Sequence, residues 1–249
     1  PVVVAEQNVA PGAANRLLAR FARASAVSFE GTPLPRSVVT GNPIRPEFAA
    51  LADAEGRARS RRALQIPEGR RLVVVTGGSL GALRINEAAV AALDHWRGRE
   101  DLVIHHVVGR RDWEKISAMV PADLGSMDYR AVPYEDDMPG VFAAADLAVC
   151  RAGSSTCFEL AAARLPSILV PSPHVTADQQ TRNARRVADA GGAVIVPDSE
   201  TDAARLVREV DGLLGADERL AAMRSALAHL ARPDAAGAIA RLAEEHARD

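Results

Sequence analysis

Lysine is nearly missing from this chain: of its 30 basic residues only Lys115 is lysine, the rest being arginine. With 32 acidic residues against them the net charge is −2. That excludes the basic footprint of a nucleic-acid-binding protein, so no nucleic-acid partner is expected. Cysteine is scarce too. Cys150 and Cys157 are the only two, and both read as small buried residues of a reducing compartment rather than a bridge. No apolar run reaches the roughly 20 residues of a membrane-crossing helix, and no signal peptide is visible. Internal repeats and low-complexity tracts are absent. His105 and His106 alternate along one strand with no cysteine or carboxylate at ligand spacing nearby, so they read as core or edge histidines rather than a metal site. No Asp-x-Asp pair stands at a strand end to hold a divalent ion. The chain opens at Pro1, inside a strand-like run and without methionine, so a fragment or a processed form is expected.

What is present is ordinary for a globular protein: 249 residues, 48% hydrophobic and 25% charged, enough for one large or two small domains. From Leu72 to Val196 strand and helix patterns alternate six times. This predicts a parallel, doubly wound sheet with helices on both faces. The strand beginning at Leu72 runs into Gly77-Gly78-Ser79-Leu80-Gly81-Ala82 and a helix to about Trp96. Glycines in that context let backbone approach a diphosphate, although a tight structural turn makes the same pattern. Upstream, strand-like runs at 2–4, 26–29 and 37–40 accompany a predicted helix over 11–24. Its apolar face is Leu17, Leu18, Phe21 and Ala22, and its basic face Arg16, Arg20 and Arg23. Gly41-Asn42-Pro43-Ile44-Arg45-Pro46 has linker composition, and one helix is predicted over 46–64. The acids of Tyr134-Glu135-Asp136-Asp137-Met138 read as caps for a helix over 139–145. Helices over 202–214, 217–231 and 234–247 complete the pattern.

The stretch from Arg151 to Asn183 carries the densest chemistry. Its strand ends at Arg151-Ala152-Gly153, and a helix opens with Ser154, Ser155 and Thr156. Hydroxyls at a helix start, with free N–H groups beside them, favour an anion such as phosphate. Arg151 could add a bidentate contact. Glu159, one turn in, suits the two hydroxyls of a ribose, or else serves as a capping-box partner of Ser155 or Thr156. The next strand leads to Asp178, Gln179, Gln180 and Asn183. Their neutral amides both donate and accept, as sugar hydroxyls require, though Gln179-Gln180 could equally be a solvated helix start.

This stretch resembles the sugar-nucleotide site of the MurG-type transferases. Their pattern of Arg-x-Gly, Glu, Leu-Pro, Val-Pro, Gln-Gln and Asn-Ala is matched by Arg151, Gly153, Glu159, Leu165-Pro166, Val170-Pro171, Gln179-Gln180 and Asn183-Ala184. The resemblance extends to Glu6-Gln7-Asn8 with Asn15, to Gly41-Asn42-Pro43-Ile44-Arg45, to Ser79 with Asn86, and to Glu135, whose backbone takes the place against a uracil. Ala5 and Leu80 depart from the family's His and Gln. The resemblance implies a two-Rossmann glycosyltransferase of GT-B type. Residues 1–42 would be the tail of an acceptor-binding domain. Residues 43–233 would be a complete donor-binding domain, and residues 234–249 a helix packing back on the first. The implied activity is inverting transfer of N-acetylglucosamine from its UDP carrier to a lipid-linked muramyl-pentapeptide, at the cytoplasmic face of the membrane. It would need no cofactor. The UDP-sugar contacts implied are Asn8, Arg45, Ser79, Glu135, Arg151, Ser154, Ser155, Thr156, Glu159, Gln179, Gln180 and Asn183. The family's base lies in an N-terminal half without counterpart here, so residues 1–249 alone are expected to bind the nucleotide sugar without transferring it. Two other readings remain open: a nucleotide-sugar epimerase or hydrolase on the same fold, with His174 the only histidine near the amide loop, and the donor-binding subunit of a split enzyme.

Overall fold

The structure, a computed structural model, describes residues 1–78 and 82–247. The first forty residues form a small parallel sheet ordered β1 (Val3–Glu6), β2 (Ala24–Val27), β3 (Ser37–Val39). Helix α1 (Ala13–Leu18) links the first two strands and is shorter than the sequence pattern predicts. Its end is set from a distance. The Arg36 guanidinium donates to the carbonyls of Ala19 at 2.9 Å and Arg20 at 3.1 Å, satisfying C-terminal groups that would otherwise continue the helix. The expected apolar face is also corrected. Leu17, Leu18 and Phe21 are 57%, 50% and 78% exposed. The contact with the sheet is made just past the helix, by Ala19 and by Ala22, the one member of the expected face that is buried, which pack with Val4, Val27 and Leu34.

The helix expected over 46–64 is two: α2 (Glu47–Ala50) and α3 (Ala54–Ala63). Asp53 makes the break, its carboxylate accepting from the Gly56 N–H at 2.7 Å as an N-cap. A side chain at Gly56 would place its Cβ 2.6 Å from the Leu51 carbonyl oxygen, so the close turn requires glycine.

The larger sheet contains β4 (Arg71–Thr76), β5 (Leu102–Val107), β6 (Asp128–Val132), β7 (Leu147–Cys150), β8 (Ser167–Leu169) and β9 (Ala193–Ile195). All its pairings are parallel, in the order β6-β5-β4-β7-β8-β9. The connecting helices are α4 (Leu83–Trp96), α5 (Trp113–Ser117), α6 (Met138–Ala144), α7 (Ser154–Ala162), α8 (Gln179–Asp189), α9 (Ala203–Leu214) and α10 (Asp217–Leu230). Side chains alternate across β4. Val73 and Val75 face α4 and α9, whereas Leu72 and Val74 face the layer containing α6 and α7. Both faces are covered, which is why the run Leu72–Val75 is continuously apolar. Each such fully buried side chain contributes about 1.5–3 kcal/mol. A last helix, α11 (Ala235–Ala247), returns to the small sheet, where Ile239 and Leu242 pack with Val3, Ala24 and Ala26.

This strand order builds outward from β4 in one direction, then returns to start β7 on its other side. The crevice at the C-terminal ends of β4 and β7 is therefore a topological switch point, where open α/β sheets bind ligands.

Candidate nucleotide-sugar site

Two segments leave the sheet at the switch point. After β4 come Gly77 and Gly78, the latter at φ +83°, a backbone conformation open chiefly to glycine. The expected contact Ser79, and Leu80 beside it, lie outside the described residues. After β7 the chain turns through Arg151-Ala152-Gly153 into α7. Gly153 is the N-cap, and among the described residues no side chain caps the helix. The first-turn amides of Ser154, Ser155 and Thr156 thus lack intrahelical partners, at the positive end of the helix dipole. The alternative of Glu159 as a capping partner is overturned by the same observation.

Two cavities meet at this terminus and share Gly78, Arg151 and Thr156 as walls. The smaller, about 350 Å³, runs toward β5 and β6 and is lined by Arg45, Tyr134, Glu135, Ser155 and Glu159. The larger, about 990 Å³, runs toward α9 and is lined by Arg84, Arg111, His174, Gln180 and Asp198. The form is that of one bent cleft with a helix N-terminus at the bend.

In the smaller arm, burial pushes the Glu159 carboxyl above its usual pKa range, with Arg45 pulling it partly back. Arg45 lies over the Phe48 ring, 5.3 Å from its centre, and donates to the Asp136 carbonyl at 3.2 Å. The Glu135 carboxylate is engaged within the protein. One oxygen is 3.1 Å from His105 Nε2 and the other accepts from the Asp137 N–H at 2.9 Å. This supplies the carboxylate partner for His105 that sequence spacing did not reveal. The 133–137 loop is thereby pinned to β5, and Asp137 in turn caps α6 by accepting from the Gly140 N–H at 3.0 Å. His106 is fully buried between Asn86 Oδ1 at 3.0 Å and the Tyr129 hydroxyl at 2.9 Å. Burial and then His105 bring its pKa to about 4, so it stays neutral.

At the bend, Arg151 donates to Asp198 Oδ1 at 2.6 Å and to the Val170 carbonyl at 3.1 Å. Arg84 Nε lies 3.3 Å from the other Asp198 oxygen. The aspartate therefore holds two arginines, Arg151 at the wall both cavities share and Arg84 in the larger arm. Neither Arg84 nor Asp198 stood out in the sequence, because their pairing spans distant segments.

Three of the expected contacts, Asn8, Ser154 and Asn183, hydrogen-bond within the scaffold. The Ser154 hydroxyl donates to the Gln7 carbonyl and accepts from Asn42 Nδ2 at 3.3 Å, which removes it from the cleft. Asn183 is fully buried. Its Nδ2 donates to Asn8 Oδ1 at 3.1 Å and to the Ala152 carbonyl at 3.4 Å, while its Oδ1 accepts from the Val9 N–H at 3.2 Å. Asn8 and Asn183 thus bind each other across the two sheets. Ser155 differs from Ser154. Its hydroxyl accepts from the fully buried Asn42 at 3.4 Å, which leaves its own proton available for the cleft. In the amide loop, Gln179 Nε2 donates to the Ala10 carbonyl at 3.4 Å, and Gln180 Oε1 accepts from the Ser172 N–H at 2.8 Å.

The loop after β1 has an unforeseen hub. The buried Glu6 carboxylate accepts from the N–H groups of Asn8 and Gly12, each at 2.9 Å, and from Asn15 Nδ2 at 2.8 Å. Burial alone would push its pKa up, but these hydrogen bonds outweigh it and hold the group below the usual carboxylate range.

Residues 72–239 match the glycosyltransferase family 28 C-terminal domain. Among curated proteins, the UDP-N-acetylglucosamine–N-acetylmuramyl-(pentapeptide) pyrophosphoryl-undecaprenol N-acetylglucosamine transferase of Salinibacter ruber is 42% identical over 246 residues, covering 97% of this chain and 64% of its own. Its Frankia casuarinae counterpart is 39% identical over 240 residues, covering 96% and 63%. Both are longer, and this chain spans just under two thirds of their length. The crystal structure of MurG from Acinetobacter baumannii superposes with a TM-score of 0.82 at 27% identity, covering 98% of this chain and 67% of that one.

Proposed function

The chain belongs to glycosyltransferase family 28, in its MurG-type branch, and from that membership we propose that it binds UDP-N-acetylglucosamine in the bent cleft. There it serves transfer of the sugar to a lipid-linked muramyl-pentapeptide in peptidoglycan synthesis. The observation that carries this reading is the α7 N-terminus, uncapped by any side chain of the described residues, between two cavities that differ in size and chemistry. The nucleoside occupies the smaller arm, with its base along the 133–137 backbone and its ribose hydroxyls donating to Glu159. The diphosphate lies over the amides of Ser155 and Thr156, and the sugar enters the larger arm toward Gln180. As the acceptor hydroxyl attacks the anomeric carbon, negative charge develops on the leaving diphosphate. The preorganised amides, the helix dipole and the Ser155 hydroxyl meet that charge without rearranging. Inversion follows from attack on the face opposite the departing UDP.

On this reading residues 1–42 are acceptor-side chain, 43–233 the donor-binding unit, and the segment from 234, carrying α11, the tie between them. Among the described residues no helix is long and apolar enough to cross a membrane. Peripheral attachment at the cytoplasmic face is supported by Leu17, Leu18 and Phe21, exposed beside Arg16, Arg20 and Arg23. Calorimetric titration tests the cleft's selectivity. UDP-N-acetylglucosamine and UDP are expected to bind residues 1–249 and ADP at least tenfold more weakly. Equal binding of ADP, or no binding of UDP, would contradict the assignment.

A further inference from the structure

The opposite end of the sheet carries a second concentration of charge that the nucleotide cleft does not use. Asp146, buried just before β7, accepts from the Leu72 N–H at 2.8 Å and is approached by four guanidiniums. Arg57 is 2.7 Å away, Arg61 3.3 Å, Arg71 3.7 Å and Arg224 3.8 Å. The first two have a structural task as well. Arg57 donates to the Ala143 and Ala145 carbonyls, and Arg61 to that of Ala144, which closes the C-terminus of α6. Arg71 and Arg224 make only long contacts to the carboxylate, Arg224 also donating to the Asp146 carbonyl at 3.3 Å and the Arg164 carbonyl at 3.5 Å. Arg71 turns instead to Asp217, whose side chain is 74% exposed.

These groups border an open cavity of about 680 Å³ between the start of α3 and α10, with Arg164 also on its wall. Counting Arg61 behind the wall, five arginines face three aspartates: Asp53, Asp146 and Asp217. The Asp53 carboxylate is already engaged in capping α3. Positive charge is therefore in excess. Burial and repulsion from Arg57 and Arg71, against the pull of Asp146, bring Arg224 down to about 10. Arg71 opens β4 whereas Gly77 and Gly78 follow its end. At about 3.3 Å per residue, this cavity lies roughly 20 Å from the nucleotide cleft.

We propose that this arginine-lined cavity is a second, separate anion site that takes a phosphate group, with Arg71 and Arg224 as its primary contacts. Planar guanidiniums match phosphate oxygens two at a time, and a phosphate supplies the negative charge that Asp146 alone does not. A soluble phosphate fits better than a lipid headgroup. No residue bordering the cavity is an exposed large hydrophobic, and membrane-seating surfaces need apolar side chains to insert.

The probes are inorganic orthophosphate and pyrophosphate, titrated calorimetrically into residues 1–249 at low and high sodium chloride. The variant is the double change Arg71→Gln with Arg224→Gln, its folding checked by circular dichroism, and each titration is repeated in excess UDP, which fills the nucleotide cleft. Binding is expected to be salt-sensitive, kept in excess UDP, and at least tenfold weaker in the double variant. Arg71→Gln alone, altering a surface pair, provides a milder version of the loss should the double variant unfold. Anion binding equal in parent and arginine variants would overturn the proposal, as would absence of binding to the parent. Co-sedimentation with phosphatidylglycerol vesicles is expected to be the same for parent and double variant, and neither is expected to sediment with phosphatidylcholine vesicles. Vesicle binding that depends on Arg71 and Arg224 would overturn the assignment to a soluble phosphate. The site stands apart from the nucleotide reading, since failure of UDP to bind would leave these outcomes unchanged.

Discussion

Replacing Glu159 by Gln should move ligand affinity down and fold stability up. In the free protein the carboxylate is held in a partly buried cavity, with burial pushing its pKa up and Arg45 only partly offsetting this. A group whose folded pKa exceeds its unfolded value stabilises the fold fully below the unfolded pKa, about 4.3 for Glu, and that contribution is lost as pH rises through the folded value. At neutral pH the ionised Glu159 therefore burdens the fold, and Gln removes the burden. Nor does Glu159 cap α7, so no helix end is lost. UDP binding changes in the opposite sense. Ribose hydroxyls donating to a carboxylate make charge-assisted hydrogen bonds worth about 1.5–3 kcal/mol, which corresponds to roughly 10- to 150-fold in affinity. Calorimetry with UDP and thermal unfolding on the same two proteins provide both readouts. Parent affinity should also decline on acidification, at a pH higher than an exposed glutamate would require. Equal UDP affinity in Glu159→Gln and parent would refute the reasoning, whatever happened to the melting temperature.

Glu6 should behave in the opposite way with pH. Its folded pKa is depressed, so its stabilisation is present above about pH 4.3 and disappears as pH falls through the folded value. Urea unfolding between neutral and acid pH should show a shallower acid loss in Glu6→Gln. Asn183→Ala should cost about 1–3 kcal/mol in urea unfolding, because it strands the Val9 N–H and the Asn8 oxygen in a closed joint. Asp146→Asn should cost about 3–5 kcal/mol, as removal of one partner of a buried ion pair does. Of its four guanidiniums, Arg57, Arg61 and Arg224 would lose this carboxylate partner, and Arg71 would keep Asp217. UDP binding by residues 1–249 should be the same with excess chelator as with added magnesium, since amides and a hydroxyl receive the diphosphate; a requirement for the ion would show otherwise.

The larger sheet was legible because its signals are local. Apolar runs such as Leu72–Val75 must be covered on both faces, and glycine turns after Thr76 and Cys150 mark strand ends. The position of Glu159 in the cleft was legible for the same reason, being set by the short helix that opens after Gly153. What escaped depends on partners far along the chain. Arg36 ends α1 from across the small sheet. Ser154 has the residue type of a phosphate contact, and only Gln7, 147 positions away, shows where its hydroxyl goes. Asn183 matched the family pattern, but its amide is consumed by Asn8, Val9 and Ala152. The break at Asp53 was readable in principle, since Asp followed three residues later by Gly56 is a capping geometry. The helical periodicity over 46–64 concealed it.

The central claim is that the cleft at the β4–β7 switch point receives UDP, and the most direct test is a crystal structure of residues 1–249 grown with UDP. The account places the diphosphate within hydrogen-bond distance of the Ser155 and Thr156 amides, the ribose hydroxyls on Glu159, and the base along the backbone at Glu135. UDP bound elsewhere, or with its ribose turned away from Glu159 into the arm lined by Arg84 and Asp198, would contradict it.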